Sequence, residues 1–290
     1  MTDPVLIGVI GGSGLYHMAE ITDISRQHIE TPFGIPSGEI VIGTLRGKRV
    51  AFLPRHGEGH VHAPSTIPQR ANIFALKTLG VRFILAINAC GSLREDVAPG
   101  HILVPDQIVD YTLSRRDRSF FEDSIVAHVS VADPFDAYLR GIMADVVRES
   151  GGTVHETGTF LIEDGARFST RAESRLFRQW GCDIIGMTTA PEAFLAREAE
   201  IAYATMAHIT DYDSWHESEA PVTVEMVMNT FQQNIALAQR ALALAVERLD
   251  PTTIVPAHTA LNGAIMTARA KMSDELLTLY RPLLQRVLEL

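Results

Sequence analysis

The chain has 290 residues, 46% of them hydrophobic, and a formal net charge of −10. That is enough to bury a full core, in one large α/β domain or two small ones, and the acidic balance argues against nucleic acid or an anionic membrane as the main partner. No apolar run reaches the roughly 18 residues of a membrane span, and the N-terminus has no basic region before its apolar stretch, so a cytoplasmic protein is expected. Cys90 and Cys182 lie in no metal-ligand spacing and read as reduced, buried thiols.

In chain order, a first strand is predicted at Val5–Ile10, running into Gly11-Gly12-Ser13-Gly14. That turn lets backbone N–H groups approach an anion, and the Ser13 hydroxyl adds a donor. A tight turn without a ligand explains it equally. A strand at Arg49–Leu53 leads into Pro54-Arg55-His56-Gly57, where Arg55 offers a planar fork suited to phosphate and His56 a second donor. The alternative is a surface Arg beside a loop His. His60 and His62 follow without a carboxylate partner, so no metal is expected.

After an amphipathic helix at Ile67–Leu79, a strand at Phe83–Ile87 gives way to Asn88-Ala89-Cys90-Gly91-Ser92. These small residues suit a backbone passing close to a ligand, or a turn with Gly91 left-handed. Strands at His101–Val104, Thr159–Ile162, Asp183–Met187 and Ile201–Ala207 alternate with helices at Ala137–Ser150, Thr170–Trp180 and Ala190–Glu198. Thr188 and Thr189 read as phosphate-directed hydroxyls or as the N-cap of the following helix. Thr210-Asp211-Tyr212-Asp213 places two carboxylates on one side if the chain stays extended, with no basic neighbour in sequence. A solvated turn is the plainer alternative, made less apt by the apolar strand before it.

The helix at Thr223–Arg248 carries an apolar stripe of Val224, Val227, Met228, Phe231 and Ile235. Its first turn suits a pocket wall, while Phe231 and Ile235 read as core. A last helical pattern covers Ala257–Leu279. The alternation predicts a single α/β domain over 1–250, a central mixed twisted β-sheet flanked by helices, with a helical segment over 251–290 packed on it. Small and polar residues past successive strands mark the ligand end of such a sheet.

GGSG, RHG, NACGSL, ARFSTRAES, MTTAPEAFLAREA and TDYDSW occur in an order that resembles the trimeric purine nucleoside phosphorylases, within them the branch acting on 5'-methylthioadenosine. The resemblance runs from about Val5 to Asn234. It implies a phosphate site of Ser13, Arg55, His56, Thr188 and the backbone near Ala89. It implies a purine pocket of Phe168, Asp211 and Asp213, a ribose contact at the Met187 backbone, and an alkylthio pocket of Val224, Val227 and Met228. A neighbouring subunit of a homotrimer is implied to contribute a residue like His128. Asn88 stands where the family usually has Thr, and Glu163-Asp164-Gly165-Ala166-Arg167 replaces the usual Glu-Gly-Pro-Arg.

The implied chemistry is phosphorolysis, with inorganic phosphate as co-substrate and neither metal nor organic cofactor. Asp211 is the expected catalytic group at purine N7, and Asp213 the acceptor for a 6-amino group. A phosphorylase for 6-oxopurine nucleosides or methylthioinosine, one for another 5'-substituted deoxyadenosine, a hydrolytic nucleosidase and a non-catalytic nucleotide-sensing module remain as alternatives.

Overall fold

The computed structural model describes residues 4–12, 18–113, 116–217 and 223–290, and the side chains within them of all but residues 226 and 231–234. Ser13 therefore lies outside the described residues, as does the Phe231 side chain. The described strands form one eleven-stranded mixed sheet. Its spine is β5 (Phe83–Ser92), which pairs in parallel with β1 (Ile7–Gly11) and along nearly its whole length with β11 (Ala202–Asp211). Beyond β1 lie β4 (Lys48–Pro54), β3 (Ile40–Leu45) and β2 (Thr22–Gln27). β3 runs antiparallel to both of its neighbours, β2 and β4. Beyond the far end of β5 lie β10 (Ile184–Gly186), β9 (Thr159–Ile162) and β7 (Gln107–Asp110). β6 (Ile102–Leu103) joins β11 and carries β8 (Val154–His155).

Alternate residues of β1 and β5 enter two different cores, as the two-residue period of a strand requires. Ile10, Ile84 and Ala86 pack with α1 (Gln69–Thr78) and α4 (Thr189–Glu198). Ile7, Val9, Phe83, Leu85 and Ile87 pack with α2 (Ala137–Glu149) and α5 (Val224–Arg248). A smaller cluster sets α3 (Arg171–Gln179) on the sheet through Phe177, Leu161 and Ile185. Covered on both faces, the central strands are near-continuously apolar, which is why they were legible.

Three expectations change. β5 continues through Asn88–Ser92 instead of ending at Ile87, because β11 and β10 supply partners there. Gly91 is ordinary extended strand; a Cβ on it would meet Asp211 Oδ1 at 3.0 Å and the Asp213 Cβ at 3.2 Å, so glycine is required for closeness rather than for a left-handed turn. The continuous helix expected over Ala257–Leu279 is instead broken. It comprises 3-10 turns at Pro256–Thr259 and Arg269–Lys271, a bend at Gly263 with φ of +69°, and α6 (Asp274–Leu279), which is capped by the Ser273 hydroxyl. α7 (Arg281–Leu284) follows. Leu261, Met272, Leu277, Leu283 and Leu284 join the same core as α1 and α4, so the apolar spacing is met by a folded-back chain.

Candidate active site

The carboxyl ends of β1, β4, β5, β10 and β11 open into one cavity of about 480 Å³. This is where an open α/β sheet gathers ligands, and the volume suits a nucleoside-sized molecule. Among the expected residues, Arg55, His56, Ala89, Phe168, Met187, Thr188, Asp211, Asp213, Val227 and Met228 all line it. Val224 and His128 do not line it; both are exposed on this chain. Ile235, expected to be core, lines it as well, because α5 borders the cavity with Val227, Met228 and Ile235.

One end of the cavity is built of hydrogen-bond donors already held by partners. Arg55 is buried, and its Nε and Nη2 each lie 2.8 Å from the Glu192 carboxylate. Its Nη1 donates to the Ile87 carbonyl at 2.8 Å and its Nη2 weakly to that of Ile10 at 3.5 Å. The Tyr203 hydroxyl completes the group by donating to Glu192 Oε1 at 2.7 Å. Burial alone would lower the Arg55 pKa; the Glu192 carboxylate reverses this and holds it above its ordinary value. The expected fork for an incoming anion is thus spent on Glu192. Of five guanidinium N–H bonds, four are engaged, leaving one on Nη1.

His56 also departs from expectation. Its Nδ1 lies 2.9 Å from the His62 carbonyl, which fixes the proton on Nδ1 and leaves Nε2 as an acceptor on the neutral ring. Burial lowers its pKa to about 4, so the ring is neutral near pH 7 and Nε2 accepts rather than donates. The ring stacks on His60 at 4.1 Å. The tight turn holding it needs Gly57, whose φ is +76° and where a Cβ would meet the Ser37 carbonyl oxygen at 2.7 Å.

Thr188 is at the N-cap of α4, yet its hydroxyl makes no capping bond. Instead Asn88 Nδ2 donates to Thr188 Oγ1 at 2.9 Å, and Thr205 Oγ1 donates to Asn88 Oδ1 at 2.6 Å. Asn88 thereby occupies a lone pair of Thr188 and turns the Thr188 O–H toward other acceptors. The Thr188 carbonyl is fixed by Gln69 Nε2 at 3.0 Å. Asn88, Gln69 and Glu192 are the residues that sequence reasoning undervalued here. The partners that tie them to Arg55 and Thr188 are 100 or more positions away in the chain, so no local pattern shows them.

The other end is acidic. Asp211 closes β11, and Asp213 opens a 3-10 turn at a φ of +50°. The chain is therefore not extended between them. The Asp213 N–H donates to Asp211 Oδ1 at 2.8 Å, and this turn, not strand alternation, brings both carboxyls to the cavity. Thr210 Oγ1 lies 2.7 Å from Asp211 Oδ2. Burial raises the pKa of Asp211, and raises that of Asp213 to about 6.

A third acid, Glu163 at the end of β9, lines the same cavity and was not among the expected site residues. Burial first, then the neighbouring Asp213, raises it to about 7. Arg116 ties this segment in place. It donates to the carbonyls of Met187 and Ala190, each at 2.9 Å, and to that of Asp164 at 2.8 Å. The apolar side of the cavity is Phe168, Ile185, Val227, Met228 and Ile235. Among the described residues no group of three His, Cys, Asp or Glu stands close enough to hold a metal ion, and no helix is long and apolar enough to cross a membrane.

A cavity at strand ends with fixed donors at one side and buried acids at the other is the site of a protein that handles a small polar ligand with an ionisable edge. The chain belongs to the phosphorylase superfamily, whose family model matches residues 6–249. It is 51% identical over 261 residues to S-methyl-5'-thioadenosine phosphorylase of Chloroflexus aurantiacus, covering 90% of this chain and 91% of that protein. Its fold matches methylthioadenosine phosphorylase from an antarctic soil metagenomic library with a TM-score of 0.92 at 45% identity, over 97% of this chain and 99% of the other. It matches methylthioadenosine phosphorylase from Schistosoma mansoni, solved in complex with adenine, with a TM-score of 0.80 at 37% identity, over 83% and 91%.

Proposed function

We propose that this chain is a pentosyltransferase that cleaves 5'-methylthioadenosine with inorganic phosphate, yielding adenine and 5-methylthioribose 1-phosphate. The observation that carries the reading is the polarity of the strand-end cavity, Arg55, His56 and Thr188 at one end and three buried acids at the other, in a chain about half identical to a phosphorylase named for that substrate. A phosphate oxygen attacks the anomeric carbon as the C1'–N9 bond breaks. The bonding pair passes into the purine, and Asp211 supplies the proton that N7 takes up. Positioning and charge stabilisation of this kind need no metal or organic cofactor.

Phosphate sits at the end formed by Thr188, His56 and Ala89, with the remaining Arg55 N–H beside it; a contribution from Ser13, outside the described residues, rests on the resemblance alone. Thr188 donates its O–H. Neutral His56 suits hydrogenphosphate, whose own O–H can donate to Nε2. Asp213 accepts from the 6-amino group, Phe168 packs by the base, and the Met187 backbone lies along the ribose. Val227 and Met228 favour a methylthio group over a hydroxyl, a preference worth roughly 1–3 kcal/mol. Val224 and His128, exposed on this chain, belong to sites completed at subunit borders of a homotrimer. The reduced, buried Cys90 and Cys182 suit a cytoplasmic setting.

The test is base release from methylthioadenosine, methylthioinosine, adenosine and inosine, each with and without phosphate. Fast adenine release from methylthioadenosine that requires phosphate is expected. Release without phosphate makes the protein a hydrolase, and no release makes it a binding module. Sedimentation of the active species checks the trimer, and a fully active monomer refutes it.

A further inference from the structure

The acidic end holds one more carboxyl than the reaction above uses. Glu163 lies at the close of β9, buried, and it lines the cavity. The Ser169 hydroxyl stands 3.4 Å from Glu163 Oε1 and 3.4 Å from Asp213 Oδ1. On the far side of Asp213, its N–H is bonded to Asp211 Oδ1 at 2.8 Å. The three acids therefore form an arc in the order Asp211, Asp213, Glu163, all facing one cavity. Asp213 Oδ2, in the middle of the arc, is buried without a hydrogen-bond partner of ordinary length.

The rim of a 6-aminopurine carries N7, the amino group and N1 in sequence. In hydrogen-bond terms this is acceptor, donor, acceptor. Its complement is donor, acceptor, donor. Three carboxyls meet that pattern when the outer two are protonated and the middle one is ionised. Resting on the purine placement proposed above, we infer that Glu163 is a specificity residue of this site, holding a proton that it donates to purine N1.

The surroundings of each acid agree with that distribution. Around Glu163 stand Asp213 from the turn after β11, Glu173 of α3, Asp164 and the two cations Arg167 and Arg116. Arg167 is spent on Glu173 at 2.7 and 2.8 Å, and Arg116 reaches the Glu163 carbonyl and Asp164, not the Glu163 carboxylate. Arg167 offsets the rise only in part, so burial and Asp213 hold the Glu163 pKa at about 7, above the value of about 6 at Asp213. The Ser174 hydroxyl and the Ser214 N–H temper the rise at Asp213, favouring ionisation of the middle acid.

The test compares methylthioadenosine with its 1-deaza analogue, which lacks only the N1 lone pair. In the wild type at pH 6 the parent should exceed the analogue by about tenfold in kcat/KM, beyond the difference seen in Glu163→Ala. In Glu163→Ala the parent should lose about tenfold and the analogue little. As pH rises from 6 to 8.5 the wild-type ratio should collapse, because an ionised Glu163 faces the N1 lone pair. The ratio cancels the ionisation of phosphate, which both substrates share. Glu163→Gln keeps a donor at every pH and should hold the ratio flat. Equal parent-to-analogue ratios in wild type and Glu163→Ala overturn the inference, as does a pH-independent ratio in the wild type. Failure of the purine placement itself looks different: Asp211→Asn would then leave methylthioadenosine turnover unchanged.

Discussion

The two ends of the cavity are built on opposite terms. At the Arg55 end every strong group has an internal partner: Glu192, Tyr203 and two backbone carbonyls around Arg55, and Asn88 and Thr205 behind Thr188. At the Asp211 end, buried acids face one another and a cavity, with one carboxylate oxygen unpartnered. The first arrangement is rigid before any ligand arrives. The second is raised in free energy until a ligand supplies complementary donors and acceptors. Preorganised groups hold a ligand without reordering, whereas the unpartnered Asp213 oxygen serves recognition, because only the right edge relieves it.

The largest effect should come from breaking the satisfied end. Arg55→Ala leaves the Glu192 carboxylate buried without its cation, a loss of about 3–5 kcal/mol of folding stability. Chemical denaturation reads it. A variant of wild-type stability with only a raised KM for phosphate would mean that Arg55 serves the ligand and not the scaffold. This differs from the expectation drawn from the fork geometry alone, since the fork is already occupied.

Next is the chemical step. Asp211→Asn cannot deliver a carboxyl proton to N7, and its turnover number should fall by roughly 100- to 10,000-fold with little change in KM. Asp213→Asn should act on selectivity instead. Its amide presents N–H to a 6-oxo group, so the methylthioinosine-to-methylthioadenosine ratio of kcat/KM should rise by about tenfold. An unchanged ratio would remove Asp213 from the 6-position.

Asn88→Ala tests the relay behind Thr188. The Thr188 hydroxyl loses its fixed orientation, and the KM for phosphate should rise by about tenfold while that for methylthioadenosine stays within about twofold. Parallel changes in both constants would show a general disturbance of the cavity.

The smallest effect has the opposite sign from the first. The Glu163 pKa is raised in the fold to about 7, so its stabilising share is complete below its ordinary value near 4.5 and is lost as pH rises through 7. Glu163→Gln should therefore match or exceed the wild-type melting temperature at pH 8 and gain nothing at pH 5. A variant less stable at pH 8 than at pH 5, relative to wild type, would contradict the contrast between the two ends.

The sequence by itself determined the central strands β1, β4, β9 and the first half of β5, because strands covered on both faces write themselves as apolar runs. It also marked the strand ends where the cavity opens. Polar edge strands such as β2 left no such trace, since an exposed edge has no buried face to encode. The C-terminal spacing reads as one helix, whereas the core contacts at Leu261, Met272 and Leu277 are met by a bent chain with the same residues. Only the tertiary structure decided what the site residues do. Arg55 is a fork in sequence but a partner of Glu192 in space, 137 positions on, and Thr188 takes its orientation from Asn88, 100 positions before it. Glu163 joins the two aspartates only where β9, β10 and β11 converge. A side chain's type is local information, but its proton and its partner are set by burial and by distant neighbours, and those exist only once the chain has folded.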